Sequence, residues 1–224
     1  MASYHTAFPM WQERSNEQKI ELLRDLVSEL SQYVLHQPTS LLLQVLEKHQ
    51  CEDDEEQDSV TLIKKMLREY PNLWFQSCEV GHITGSGLIL DTTNKKFLLM
   101  HHKKLLRWLQ MGGHGESELD PAHIALREAV EESGLPDLRF FPDVGYPTLL
   151  DVDAHIIPAG QNRPQHYHLD FRYAFYTGSP DQVRCLHSEA KDLRWFSFAE
   201  VADLDLNPST FRLISKANRL MGNS

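Results

Sequence analysis

Residues Gly112 to Leu135 read GGHGESELDPAHIALREAVEESGL, and the fold and chemistry of the chain turn on this stretch. Asp120 followed by Pro121 is a strong helix start. Proline at the first helical position loses no hydrogen bond, and the aspartate side chain caps free amides. Gly134 is the matching stop, because glycine adopts the left-handed cap conformation without a Cβ penalty. The spacing predicts a helix of about thirteen residues, with Ala122, Ala125, Leu126, Ala129 and Val130 on one side at 100° per residue. Glu128, Glu131 and Glu132 fall on another side, with Arg127 at its edge. Like charges at i,i+3 and i,i+4 repel by a few tenths of a kcal/mol per pair. A solvated face stitched by Arg127–Glu131 is the plain structural reading. A hard divalent cation held by oxygen ligands, magnesium or manganese, is the functional one. The Gly112-Gly113 turn places bare backbone beside the glutamates, so the Gly112 carbonyl is a candidate further ligand.

Outward from this segment the chain is β-rich. Ile83 to Asp91 and Phe97 to His101 are apolar runs around Thr92-Thr93-Asn94-Lys95 and read as a hairpin. Strands are expected at Arg107–Met111, Arg139–Phe141, Leu149–Ile156, His166–Tyr176 and Leu193–Phe196. Glu200 to Leu204 and Pro208 to Leu220 read as helices, the second capped by Asn207. The first 75 residues differ. Ser15 to Leu35 carries apolar residues near a 3.6-residue period, with Ser15 and Gln18 as a capping box. Pro38 ends that element or begins a short helix over Leu41 to Leu46. Cys51 to Asp58 reads as an acidic, solvated linker, and Ser59 as the cap of a helix stopped by Pro71. The expected organisation is a helical region over 1–75 and a catalytic unit over 76–224.

Composition narrows the function. With 22 basic and 32 acidic residues the formal net charge is −10, which disfavours a sequence-independent grip on nucleic acid. No apolar run approaches the ~18 residues of a spanning helix, and the first residues lack a signal-peptide core. The expected location is cytoplasmic. Cys51, Cys78 and Cys185 are widely spaced and form no CxxC pair, so neither a disulfide framework nor a zinc knuckle is expected. The chain holds 12 histidines. His166, His168 and Asp170 alternate and so share one strand face. Together with His114 and Lys104 they are candidates to line a substrate pocket. Two histidines at i,i+2 do not by themselves make a zinc site.

The Gly113–Leu135 segment resembles the Nudix box, G-x5-E-x7-R-E-U-x-E-E-x-G-U with U aliphatic. Gly113, Arg127, Glu128, Ala129, Glu131, Glu132, Gly134 and Leu135 fill their positions at the family spacing. At roughly one in fifteen per residue type, six fixed matches arise by chance in about one of 10⁴–10⁵ chains of this length. The flanks, His82-x-Thr84-x-Ser86 and His102-x-Lys104-x-x-x-Trp108-x-Gln110, resemble one Nudix subgroup in texture. One position departs: the glutamate before the x7 spacer would fall at 119, where this chain has Leu119. Glu118 and Glu116 are the candidate substitutes, since Asp120 is engaged as the cap.

The resemblance implies an α/β/α sandwich with a mixed sheet, preceded here by the small helical region. It also implies hydrolysis of a diphosphate bond in a nucleoside diphosphate linked to another moiety, or in a related small nucleotide, with Mg2+ or Mn2+. Glu128, Glu131, Glu132 and the Gly112 carbonyl would bind the metal, with Glu128 doubling as base and Arg127 orienting a glutamate. Glu189 and Asp170 are candidates for a further catalytic acid. A rival reading, motivated by Leu119, is a nucleotide sensor that does not turn over. An isoprenyl diphosphate isomerase is a third, but Cys78 and Cys185 lack a recognisable context for it. The apolar faces of the N-terminal helices leave a homodimer open.

Overall fold

The computed structural model describes residues 15–160, 163–185 and 190–222. Two helices lead in, α1 (Asn16–Lys48) and α2 (Asp54–Glu69). Strands β1 (Gly81–Asp91), β2 (Lys96–His102), β3 (Trp108–Leu109) and β4 (Met111–His114) precede α3 (Pro121–Ser133). Strands β5 (Arg139–Phe141), β6 (Asp151–Ile157), β7 (His166–Tyr176) and β8 (Ala190–Ser197) follow, and α4 (Pro208–Gly222) closes the chain.

The eight strands form one mixed sheet centred on β1 and β7, which pair in parallel from Gly81↔Tyr167 to Leu90↔Tyr176. The other pairings are antiparallel. The far edge of β1 is shared by β2 and β4, and that of β7 by β6 and β5. The first hairpin forms as its alternation predicts, with Asp91 accepting from the Asn94 amide at 3.0 Å in the turn.

Successive residues of a strand point to opposite faces, so the parallel register assigns each face its contents. On one face Ile83, Ile89, Leu169, Phe171, Tyr173 and Phe175 pack with α2 and α3. On the other Leu88, Leu90, Phe97, Leu99 and Ala174 meet Leu213, Ile214 and Ala217 of α4. Each fully buried Leu, Ile or Phe contributes about 1.5–3 kcal/mol relative to leaving it exposed. The result is the expected α/β/α sandwich.

The box helix starts and stops where its caps say. Asp120 accepts from the Ala122 amide at 2.9 Å, and Gly134 takes the left-handed conformation at φ 67°. Its buried side differs in detail from the helical wheel. Ile124 and Glu132 are buried, whereas Val130 is exposed. Strand β1 admits the helix closely at Gly85, where a Cβ would lie 2.3 Å from the Pro121 carbonyl.

The N-terminal region departs more. A single 33-residue helix runs through Pro38, so proline neither ends nor begins an element there. A mid-helix proline forfeits one i→i−4 bond. Nearby Leu42 and Leu46 anchor that part of the helix by burying in the main core. Nor is the acidic stretch a linker. Asp53 caps α2 by accepting from the Glu56 amide at 2.8 Å, and Ser59 lies inside the helix with its hydroxyl on the Glu55 carbonyl. Acidic residues suit a helix N-terminus, whose free amides carry partial positive charge. Val60, Ile63, Met66 and Leu67 then pack into the same core as the sheet. The segment 200–204 is a 3-10 helix, Phe198–Asp203, rather than an α-helix.

A buried ion network joins these layers. Arg172 donates to Asp170 (2.8 Å), Asp151 (3.3 Å) and Asp153 (2.9 Å). Arg212 of α4 donates to Asp151 (2.8 Å) and to the Val152 carbonyl (3.1 Å). Lys216 reaches Glu56 and Asp151. No helix among the described residues is long and apolar enough to cross a membrane. All three cysteines are free thiols.

Candidate active site

Strand β4 lies along β1 with Gly85↔Gly113 and Ser86↔Gly112 in register, and α3 packs over it. The carboxylates of Glu128 and Glu132 fold back onto this glycine pair rather than into solvent. Glu132 is 3% exposed and accepts from the Gly112 amide at 2.9 Å. Glu128 lies so close to Gly113 that a Cβ there would sit 2.4 Å from its Oε1. Glycine is required here for that approach, not for a turn. Glu131 is half exposed at the outer margin.

Arg127 ties the cluster together. It donates to Glu118 (2.6 Å), Glu128 (3.1 Å), Glu131 (3.2 Å) and the His114 carbonyl (2.6 Å). One guanidinium thus fixes two box glutamates and the strand that faces them. Glu118, next to Leu119, is the carboxylate that pairs with Arg127 from outside the helix. Its second oxygen accepts from the Glu116 (2.8 Å) and Ser117 (3.1 Å) amides. Burial pushes the Glu118 carboxyl up, but the Arg127 bond and those amides outweigh it and hold it at about 2. Against the lowering effect of its own burial, Arg127 is raised by its bond to Glu118 and by the charges of Glu128 and Glu131. Leu119 packs against the core.

The candidate substrate residues separate into three groups. Lys104 sits in the exposed turn between β2 and β3, with its amide on His102 Nδ1. Asp170 is 2% exposed, and its oxygens accept from Thr84, Ser86 and Arg172. Its carboxylate is thereby engaged within the protein. His114, His166 and His168 do converge, on the sheet face opposite α3, because Thr84↔His114 and His82↔His168 are register pairs. His114 Nε2 lies 3.2 Å from His168 Nε2. Burial first, then the neighbouring imidazoles and Arg163, push His82 down to about 3. Burial and the imidazoles alone push His168 down to about 2. Both rings are neutral at ordinary pH. Glu189 lies outside the described residues.

Two contributors escaped sequence reasoning. The convergence of His82 with His114 and His168 depends on strand register, which the local pattern does not carry. The Arg172 and Arg212 networks join residues 53–56, 151–153, 170–172 and 212–216, and isolated charges along a chain give no sign of such pairing.

Helix-borne carboxylates are thus clamped by an arginine against a bare glycine strand on an α/β/α sandwich, forming an oxygen-rich cluster. The NUDIX domain model matches residues 81–217, and the chain belongs to that family as a Nudix-type hydrolase. A search of curated proteins found no significant match. Among solved structures, a C. elegans Ap4A hydrolase in a binary complex is similar over 63% of this chain and 98% of its own, at 16% identity and TM-score 0.50. A NUDIX-family hydrolase from Clostridium perfringens aligns over 63% and 97% at 22% identity and TM-score 0.44. The NUDIX domain of Shewanella oneidensis NrtR, complexed with ADP ribose, aligns over 69% and 96% at 16% identity and TM-score 0.46.

Proposed function

We propose that this chain hydrolyses the diphosphate bond of a small nucleotide, a nucleoside diphosphate linked to another moiety being the foremost class, with a divalent cation at the box glutamates. The reading is carried by one observation: Glu128 and Glu132 are drawn onto Gly112-Gly113 while Arg127 fixes Glu128, Glu131 and the β4 backbone. The donor set fits a hard cation. Carboxylates of Glu128, Glu131 and Glu132 with the Gly112 carbonyl are oxygen ligands of the type magnesium and manganese take. When bound, such an ion supplies charge neutralisation for a phosphoryl oxygen.

The chain's own residues do the rest. Arg127 is a positioning residue, since its donors are spent on carboxylates and a carbonyl. Glu118 holds Arg127 in turn, and this pairing favours the catalytic reading over the non-catalytic one that Leu119 motivates. Glu128, at 13% exposure and beside Gly113, is placed to accept a proton from an attacking water.

The test is a panel of ADP-ribose, CDP-alcohols, sugar nucleotides, dinucleoside polyphosphates and nucleoside triphosphates, each with and without magnesium or manganese. Metal-dependent release of a nucleotide product from at least one is expected. Glu132→Gln should lower kcat by more than the roughly 100-fold that losing a residue supporting a metal ligand costs at most. No turnover across the panel, or an unaffected Glu132→Gln rate, overturns the proposal.

A further inference from the structure

On the face of the sheet away from the box helix, three imidazoles meet from three strands. One ligand-capable nitrogen from each of His82, His114 and His168 lies within 4.8 Å of the others. His82 is fully buried, and its Nε2 has no hydrogen-bond partner among the described residues. An unmatched buried polar nitrogen costs about 1–3 kcal/mol, so a chain retains one where something else satisfies it. We propose that His82, His114 and His168 form a metal site for a borderline divalent cation, zinc foremost, distinct from the carboxylate cluster on the other face.

The geometry is close to what such an ion needs. Tetrahedral ligand nitrogens at Zn–N of 2.0–2.1 Å lie roughly 3.4 Å from one another. The His114–His168 separation of 3.2 Å already matches, and the third nitrogen, within 4.8 Å of both, has to approach by at most about 1.4 Å. Burial favours the neutral form of His82 and His168, the form that ligation requires. Three imidazoles select zinc and its transition-metal neighbours over magnesium, which prefers oxygen.

Two flanking histidines carry the arrangement that supports metal-bound imidazole. His155 Nδ1 donates to Asp153 at 2.8 Å and His166 Nδ1 donates to the Pro164 carbonyl at 2.8 Å. That leaves Nε2 as the nitrogen each ring can offer a metal, the pattern in which an acceptor fixes the ligating tautomer. Their ring centroids lie 5.4 Å from His168 and 5.2 Å from His82, making either a candidate fourth ligand.

Two rearrangements are implied. The proton that joins His114 Nε2 to His168 Nε2 moves to the Nδ1 of the ring that carries it. Arg163 donates to His82 Nδ1 at 3.0 Å, which places the ring proton on Nε2. Ligation through Nε2 moves that proton to Nδ1 and displaces Arg163. The Gln76 and Cys78 carbonyls, which already accept from the same nitrogen of Arg163, keep it satisfied.

The experiment uses the full chain, stripped with a chelator and titrated with cobalt(II) in millimolar magnesium. One equivalent should bind, with the visible bands of a low-symmetry cobalt site, and zinc should displace it. His114→Gln and His168→Gln should each weaken binding at least about 100-fold, beyond the usual cost of losing a supporting residue. Glu132→Gln should leave it unchanged, which separates this site from the box. X-ray absorption of the zinc-loaded unmutated chain supplies a readout that needs no variant. It should show at least three imidazole nitrogens at about 2.0–2.1 Å. Absence of stoichiometric cobalt binding, an oxygen-only shell, or binding that survives both histidine substitutions overturns the proposal.

Discussion

The two faces of the central sheet are built by opposite strategies. On the α3 face the chemistry comes from one helix. Glu128, Glu131 and Glu132 are neighbours because 3.6 residues make a turn, and Arg127 and Gly113 complete the group within about twenty residues of sequence. On the other face the groups come from four strands. His82, His114, His155, His168 and Arg172 meet only because β1, β4, β6 and β7 pair in one register. A slip of one residue in β7 would send His168 and Asp170 to the wrong face and leave the spacing of the glutamates untouched. Local spacing holds the first centre, and global topology the second.

The largest expected effect falls on the second. Arg172 is buried and donates to three aspartates, so Arg172→Met strands their charge. The loss should be about 3–5 kcal/mol, read from the urea midpoint at pH 7. A loss under about 1 kcal/mol would mean that register alone, without the ion network, holds that face. Arg127→Ala probes the helix-borne centre. As an orienting residue it should lower kcat about 10–100-fold, while the unfolding midpoint moves far less than in the Arg172 variant. A comparable stability loss at both positions would erase the contrast.

A smaller effect lies in acid. Glu118 has its folded pKa lowered to about 2 from 4.5, so its ionised form favours the folded state. That contribution is fully present above 4.5 and is lost as pH falls toward 2. Glu118→Gln cannot titrate. The stability gap between it and the unmutated chain should therefore narrow across that window and close below it. A gap independent of pH would show that Glu118 acts through packing instead. Smallest of all, Arg194→Ala breaks an exposed pair with Glu200 (2.9 Å) and should move the urea midpoint least of these variants.

The same contrast explains what could be read in the chain beforehand. The box helix, its Asp120 and Gly134 caps, the first hairpin and the strand His166–Tyr176 are local patterns, and each is found where its residues indicate. The role of Glu118 beside Arg127 was half legible, since only reach, not spacing, chooses between it and Glu116. The acidic run at 53–56 misled because net charge looks alike on a loop and on a capped helix start. What separates them is Lys216, 160 residues away in sequence, meeting Glu56. His82 gave no sign of its orphaned nitrogen, because burial on a strand depends on partners that the strand does not name.

The link from Glu56 to Lys216, and from Asp53 to Arg212, has a practical consequence for anyone trimming this protein. The family match begins at residue 81, yet the carboxylates that neutralise the last helix sit upstream of that boundary. A fragment cut there keeps Asp151 and the more distant Asp153 but loses Asp53 and Glu56, leaving Lys216 and Arg212 with fewer carboxylates to share. Such a fragment should express poorly or precipitate, whereas one beginning before Asp53 keeps both ends of the chain latched.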